Sequence, residues 1–291
     1  MSFRPRAALS AAVAALTLTA CAPFDGVLRD SVEDVLHDVA TDTAPIVPTL
    51  DFDQVDRDDP FGGTDAEDYA EGFDLPDEVA AVGPYPTGRV REAYETAQDL
   101  LEAVYLNQDA VFDEDNSEFT SLLTGQALDW YLENHGNEDP LLDTRHIPFN
   151  LTPGTAEPIG DVVKVNGAMW AEEAVDEYGF DYLAVRTEYT IVHPIARPGD
   201  PVSVRLVTSH LGEVSFYDRG DGTWDVWPFW TRSAGPIHCL SDQHTLTPAY
   251  PDELPRGERP KGRPEDAYDL DNARDDLESA DEGECGTIQE T

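Results

Sequence analysis

Lysine is almost missing from this chain. It occurs only at Lys164 and Lys261, and with sixteen arginines it faces 60 acidic residues, for a formal net charge of −42. So little positive charge excludes nucleic acid as a partner, because replacing phosphate counterions needs a basic face. An anionic membrane surface would repel the chain as well. The preference for arginine fits a GC-rich coding sequence, a saline habitat, or both. Cysteine is as scarce, with three in 291 residues. There is no Cys-x-x-Cys pair and no His-Glu-x-x-His, and the seven histidines (37, 135, 146, 193, 210, 238 and 244) are scattered, which argues against a zinc site. No glycine-rich loop runs into Lys-Ser/Thr, and no Gly-x-Ser-x-Gly elbow appears. With no catalytic motif, the sequence predicts a protein that is not an enzyme. No segment reaches the ~18 consecutive apolar residues of a membrane-spanning helix.

What the sequence does have begins at its amino terminus. Arg4 and Arg6 make a short positive region, and Ala7 to Ala20 is an apolar stretch of signal-peptide length. Pro5 separates the arginines, so the general secretory route is expected rather than the twin-arginine one. Leu18-Thr19-Ala20-Cys21 resembles the bacterial lipobox at every position. That resemblance implies a diacylglycerol on the Cys21 thiol, cleavage before Cys21, and N-acylation, for example with palmitate. Two acyl chains hold a protein on a bilayer where one does not, at roughly 0.8 kcal/mol per buried methylene. The expected location is the extracytoplasmic face of the cell membrane, with residues 1–20 removed. An ordinary secretory signal with an incidental cysteine is the plainer reading.

Residues 22–40 put Phe24, Val27, Leu28, Val32, Val35, Leu36 and Val39 at helical spacing opposite Asp30, Glu33, Asp34 and Asp38. An acidic polar face suits docking on the domain or on a partner better than lying in a bilayer. Residues 41–86 are rich in proline and carry twelve acids against Arg57 alone between Asp51 and Glu78. Such a segment predicts a flexible acidic stalk, although Phe52, Phe61, Tyr69 and Phe73 could dock locally.

The folded domain is predicted over 87–249. Thr87 is a candidate N-cap for a helix whose stripe is Val90, Ala93, Tyr94, Ala97, Leu100, Leu101, Val104 and Tyr105, ending near Asn107. A second helix is expected from Ser117 to Gly136. The period then changes to two. Strands are expected near 145–151, over 161–170, 180–195 and 202–217 (bulged at Gly212), and over 223–231. Residues 250–291 read as an acidic tail with one basic patch at Arg256, Arg259, Lys261 and Arg263.

Two amphipathic helices followed by a curved antiparallel sheet of four to five strands, with disordered acidic flanks, is an α+β design. It resembles the cone-shaped fold of the nuclear-transport-factor-like and steroid-isomerase-like superfamily, including domains in actinobacterial surface lipoproteins. The resemblance covers about residues 87–235 and rests on element order and length. It implies a concave face that helices close. Trp170, Tyr189, His210 and Trp227 are the candidate lining of a cavity there, with core packing the plainer reading of all four.

With Cys21 acylated, Cys239 and Cys285 remain, and an oxidising compartment predicts that they pair. The bond would close a loop of about 46 residues, worth roughly 4 kcal/mol in the chain-entropy model. The rival reading makes Cys239 a nucleophile beside His238. No cofactor is expected. The acidic stretches 113–118 and 269–276 invite weak calcium association, but both have the wrong residue, Glu118 and Arg274, where an EF-hand needs glycine. The expected function is therefore a membrane-anchored lipoprotein with a non-catalytic binding or scaffolding domain. Its partner would be a cell-wall component, another surface protein or a second copy. A small-molecule binder using the cone cavity comes next, and an isomerase- or hydrolase-like enzyme after it.

Overall fold

The strongest helical stripe becomes the longest helix. In the computed structural model, which describes residues 54–238, 244–253 and 267–271, α1 spans Thr87–Tyr105 and buries all eight stripe residues together with Ala103. Its cap is Pro86, so Thr87 is the first helical residue and not the N-cap. Asn107 stops the run, because its side chain accepts from the backbone N–H groups of Asp109 and Ala110 and starts a new helix, α2 (Gln108–Asp113). The expected second long helix is broken in two. α3 (Ser117–Leu122) ends at Leu123 in an extended conformation, and α4 (Gly125–Glu133) starts at a glycine with φ +57°. The apolar stripe survives the break, since Phe119, Leu123, Ala127 and Tyr131 are all buried.

The sheet is antiparallel throughout its ladders. β1 (Ala70–Glu71), β3 (Lys164–Val175), β4 (Asp181–Ala196), β5 (Ser203–Asp218) and β6 (Trp224–Gly235) lie in that order, and β2 (Glu157–Pro158) pairs with β4 off this path. A two-stranded sheet, β7 (Ile237–His238) with β8 (Thr247–Pro248), sits apart. The chain is thus α+β, with few helices and a mostly antiparallel sheet. β4 and β5 pair without interruption from Leu183↔Phe216 to Ala196↔Ser203, so the bulge expected at Gly212 is absent. Gly212 is small for another reason: a Cβ there would stand 2.8 Å from His210 Nε2, Thr187 Oγ1 and Trp230 Cβ. The strand expected at 145–151 is instead a 3-10 turn at Thr144–His146 and one bridge, Leu151↔Leu246.

Alternation fixes the faces of the sheet. Leu183, Val185, Thr187, Tyr189, Ile191 and His193 of β4 are all buried on the face that carries the main core with α1. On the opposite face Tyr182 and Ala184 are buried towards one end of β4, where Tyr182 stacks on Tyr217, and towards the other end Val192 and Val207 pack under Phe61, Ala66, Ala267 and Tyr268.

That last contact corrects the stalk. Residues 54–86 are folded onto the domain: Val55, Phe61, Ala66, Phe73 and Tyr85 are buried, Asp65–Asp68 forms a 3-10 turn, and β1 pairs with β3. The acids of this stretch point outward while widely spaced apolar anchors point in, an arrangement that average composition hides. The packed body therefore reaches beyond 87–249 at both ends and includes Ala267 and Tyr268. Cys21, Cys239 and Cys285, the segment 22–40 and the patch 256–263 lie outside the described residues.

Candidate functional site

Four residues form one row across the α1-facing side of the sheet: Gly167, Tyr189, His210 and Arg232, on β3 to β6 in turn. Of the four candidate cavity residues, Tyr189 and His210 are register partners and both are buried. Trp170 and Trp227 are on the other face. Trp170 is 39% exposed, and Trp227 packs against Trp130 with ring centroids 6.0 Å apart. The aromatic content of these strands was legible, but the choice of face for β3 and β6 was not, because both alternate large and small residues on both sides.

His210 is the centre of the row. Its Nδ1 is 2.9 Å from the Tyr105 hydroxyl and its Nε2 is 2.9 Å from Thr187 Oγ1. Burial, with help from the Arg232 charge, pushes the imidazole down to about 3, so it is neutral at pH 7. Burial raises the Tyr105 phenol pKa, with the Arg232 charge opposing the rise. The neutral ring donates to one of its two hydroxyl partners and accepts from the other. Sequence reasoning missed Tyr105 and Arg232, whose α1 and edge-strand positions carried no motif.

Arg232 has a second task. It donates to three consecutive carbonyls, of His146 (2.5 Å), Ile147 (2.9 Å) and Pro148 (2.6 Å), and Trp230 Nε1 donates to the Ile147 carbonyl at 2.8 Å. The loop after the 3-10 turn is thereby clamped to β6. His193, on the same face, donates from Nε2 to the Tyr105 carbonyl at 2.8 Å and stacks on Phe149 at 5.2 Å, and burial pushes it down to about 4.

The residues around this row are tightly packed. Tyr105, Thr187 and His210 have no exposed surface, and Tyr189 meets Phe73 edge-on at 4.9 Å. A crevice beside His193, lined by residues that include Leu106, Val111, Pro158 and Val163, measures about 10 Å³. That is about the room of one water, against the several hundred Å³ of an ordinary ligand site. The Tyr189 hydroxyl is buried with no hydrogen-bond partner among the described residues, and burial raises its pKa. Removing it should therefore help: Tyr189→Phe is expected to leave stability unchanged or raise it by about 1 kcal/mol in urea unfolding. A loss of that size would mean that the hydroxyl is satisfied in solution.

Among the described residues, no three His, Cys, Asp or Glu side chains stand together as metal ligands would. In the stretch 113–118, Asp115 accepts the Ser117 N–H, Asn116 exchanges hydrogen bonds with Asn150, and Glu114 holds His244 at 2.8 Å. Those contacts tie the α2–α3 corner to the loops at 150 and 244. No helix among the described residues is long and apolar enough to cross a membrane. No family model, no curated protein and no solved structure matches this chain.

Proposed function

We propose that this chain is an extracytoplasmic lipoprotein, anchored through acylated Cys21, whose α+β domain binds or scaffolds rather than catalyses. We read α1 and the short helices on one face of the sheet as a cone-type arrangement with its interior closed. The observation that carries the binding role is the state of the two sheet faces. One buries Tyr189, His193 and His210 in a packed interior in which His210 is neutral and fully enclosed. The other leaves Trp170 and Phe229 in solvent. Enclosed imidazole–hydroxyl contacts of this kind specify packing, whereas exposed aromatics on a firm sheet offer a surface to a partner.

The anchoring half of the proposal is carried by Leu18-Thr19-Ala20-Cys21. Its test is metabolic labelling. The natural chain should incorporate labelled palmitate and fractionate with membranes, and Cys21→Ser should lose the label and appear in the soluble fraction. A natural chain that takes up no label would end the lipoprotein reading and leave the domain's binding role standing.

A further inference from the structure

Away from the Phe61 cluster, the outer face of the sheet presents an ordered surface on which Trp170 and Phe229 are exposed. One row across four strands reads Trp170, Arg186, Glu213, Phe229. Three strand spacings separate its ends, about 14 Å. The next row places Glu172 and Trp227 at its two ends. Trp170 is 39% exposed and Phe229 74%. Arg186 is committed inside the surface, 2.8 Å from Glu172 and 2.5 Å from Glu213. Its one charge is therefore spent within the face, and across the two rows Glu172 and Glu213 together leave a surplus of one negative charge.

The geometry points to a partner: a basic, Arg-containing protein segment that lies across this face, with guanidinium groups over the Trp170 and Phe229 rings and beside Glu172, whose side chain is the accessible carboxylate. This deepens the binding role proposed above and rests on it. Charge complementarity selects the occupant. The whole chain stands at −42, so a second copy would bring the same charge to the same place, and an acidic partner would be repelled. A cationic segment is drawn in by the long-range field and then held locally. Guanidinium planes stack on aromatic rings and pair with carboxylates in one geometry, which a neutral glycan does not do. The packed sheet beneath fixes the rings in advance, which lowers the ordering cost of binding.

The test must separate this face from the acidity of the rest of the molecule. Trp170→Ala/Phe229→Ala changes no charge. The full chain carrying Cys21→Ser, which removes membrane attachment from the measurement, is titrated at 150 mM salt with a labelled twelve-residue peptide alternating Arg and Leu. The double variant should bind at least tenfold more weakly, and Leu141→Ser, at an exposed loop residue outside the two rows, should bind as the parent does. Circular dichroism and unfolding midpoints verify that the double variant is folded. Equal binding by parent and double variant overturns the proposal, since the peptide would then be reading bulk charge. Tighter binding of an N-acetylglucosamine oligomer than of the peptide overturns it in favour of a glycan. A parent dimer that the double variant disperses overturns it in favour of a second copy.

Discussion

Lowering the pH from 7 to 5 is expected to remove about 4 kcal/mol of folding stability through His193 and His210 alone. Folded, the two imidazoles sit at about 4 and about 3, held down by burial, with the Arg232 charge adding to the depression at His210. Unfolded, both titrate near the ordinary value of about 6.5. Between these limits the unfolded chain binds protons that the folded chain refuses, so stability falls as pH falls. The loss begins near pH 6.5, grows by about 1.4 kcal/mol per pH unit for each histidine, and levels off only below the folded values. By pH 5 each histidine accounts for about 2 kcal/mol.

The carboxylates act in the opposite sense. Sixty acids on one chain repel one another at pH 7, and protonating them relieves the strain, mostly below pH 5 where Asp and Glu titrate. The histidine contribution is isolated by comparison. His210→Gln loses stability at pH 7, because it breaks the contacts to Tyr105 and Thr187. Its further loss between pH 7 and pH 5, however, should be smaller than that of the parent by about 2 kcal/mol. Urea unfolding at pH 7, 6 and 5 reads both quantities. Parallel pH dependences would show that His210 already accepts a proton in the folded state and that burial does not hold it neutral.

The sequence carried most of the sheet and one helix, for a physical reason. The β4 segment 180–195 and the α1 stripe each repeat one period for four turns or more, so the signal outlasts local exceptions. The short elements failed where one residue decides. Gly125, with φ +57°, splits the helix expected from 117 to 136, and nothing in the apolar spacing announces it. The stalk failed differently: its acids outnumber its anchors, yet Phe61 and Phe73 are spaced to reach two separate parts of the core. In the site, Tyr189 and His210 were legible because both lie on strands with clear alternation. Arg232 was not, because its role depends on three carbonyls of a loop more than eighty residues away.

Gly167→Ala should be the most damaging small substitution on β3. Gly167 lies directly opposite Tyr189 in the ladder, with φ +149°, in a region that glycine alone adopts freely. A Cβ on it would stand 2.0 Å from the Glu188 carbonyl oxygen and 2.8 Å from both Cα and Cδ1 of Tyr189. The first of these contacts is to backbone, so no rotamer change relieves it. Either β3 separates from β4 at this point, or the Tyr189 ring is driven toward Phe73, which already meets it at 4.9 Å. Strain and clash together should cost roughly 3–4 kcal/mol. Gly199, in the β4–β5 turn, supplies the control. Its φ is +71° but a Cβ there meets nothing within 4 Å, so Gly199→Ala bears the conformational penalty alone, about 1–2 kcal/mol. The difference between the two variants in urea unfolding measures how tightly the backbone of β3 presses on the row that holds Tyr189 and His210. Equal losses would show that β3 yields at Gly167 without cost, and that the packing of this row is looser than its contacts imply.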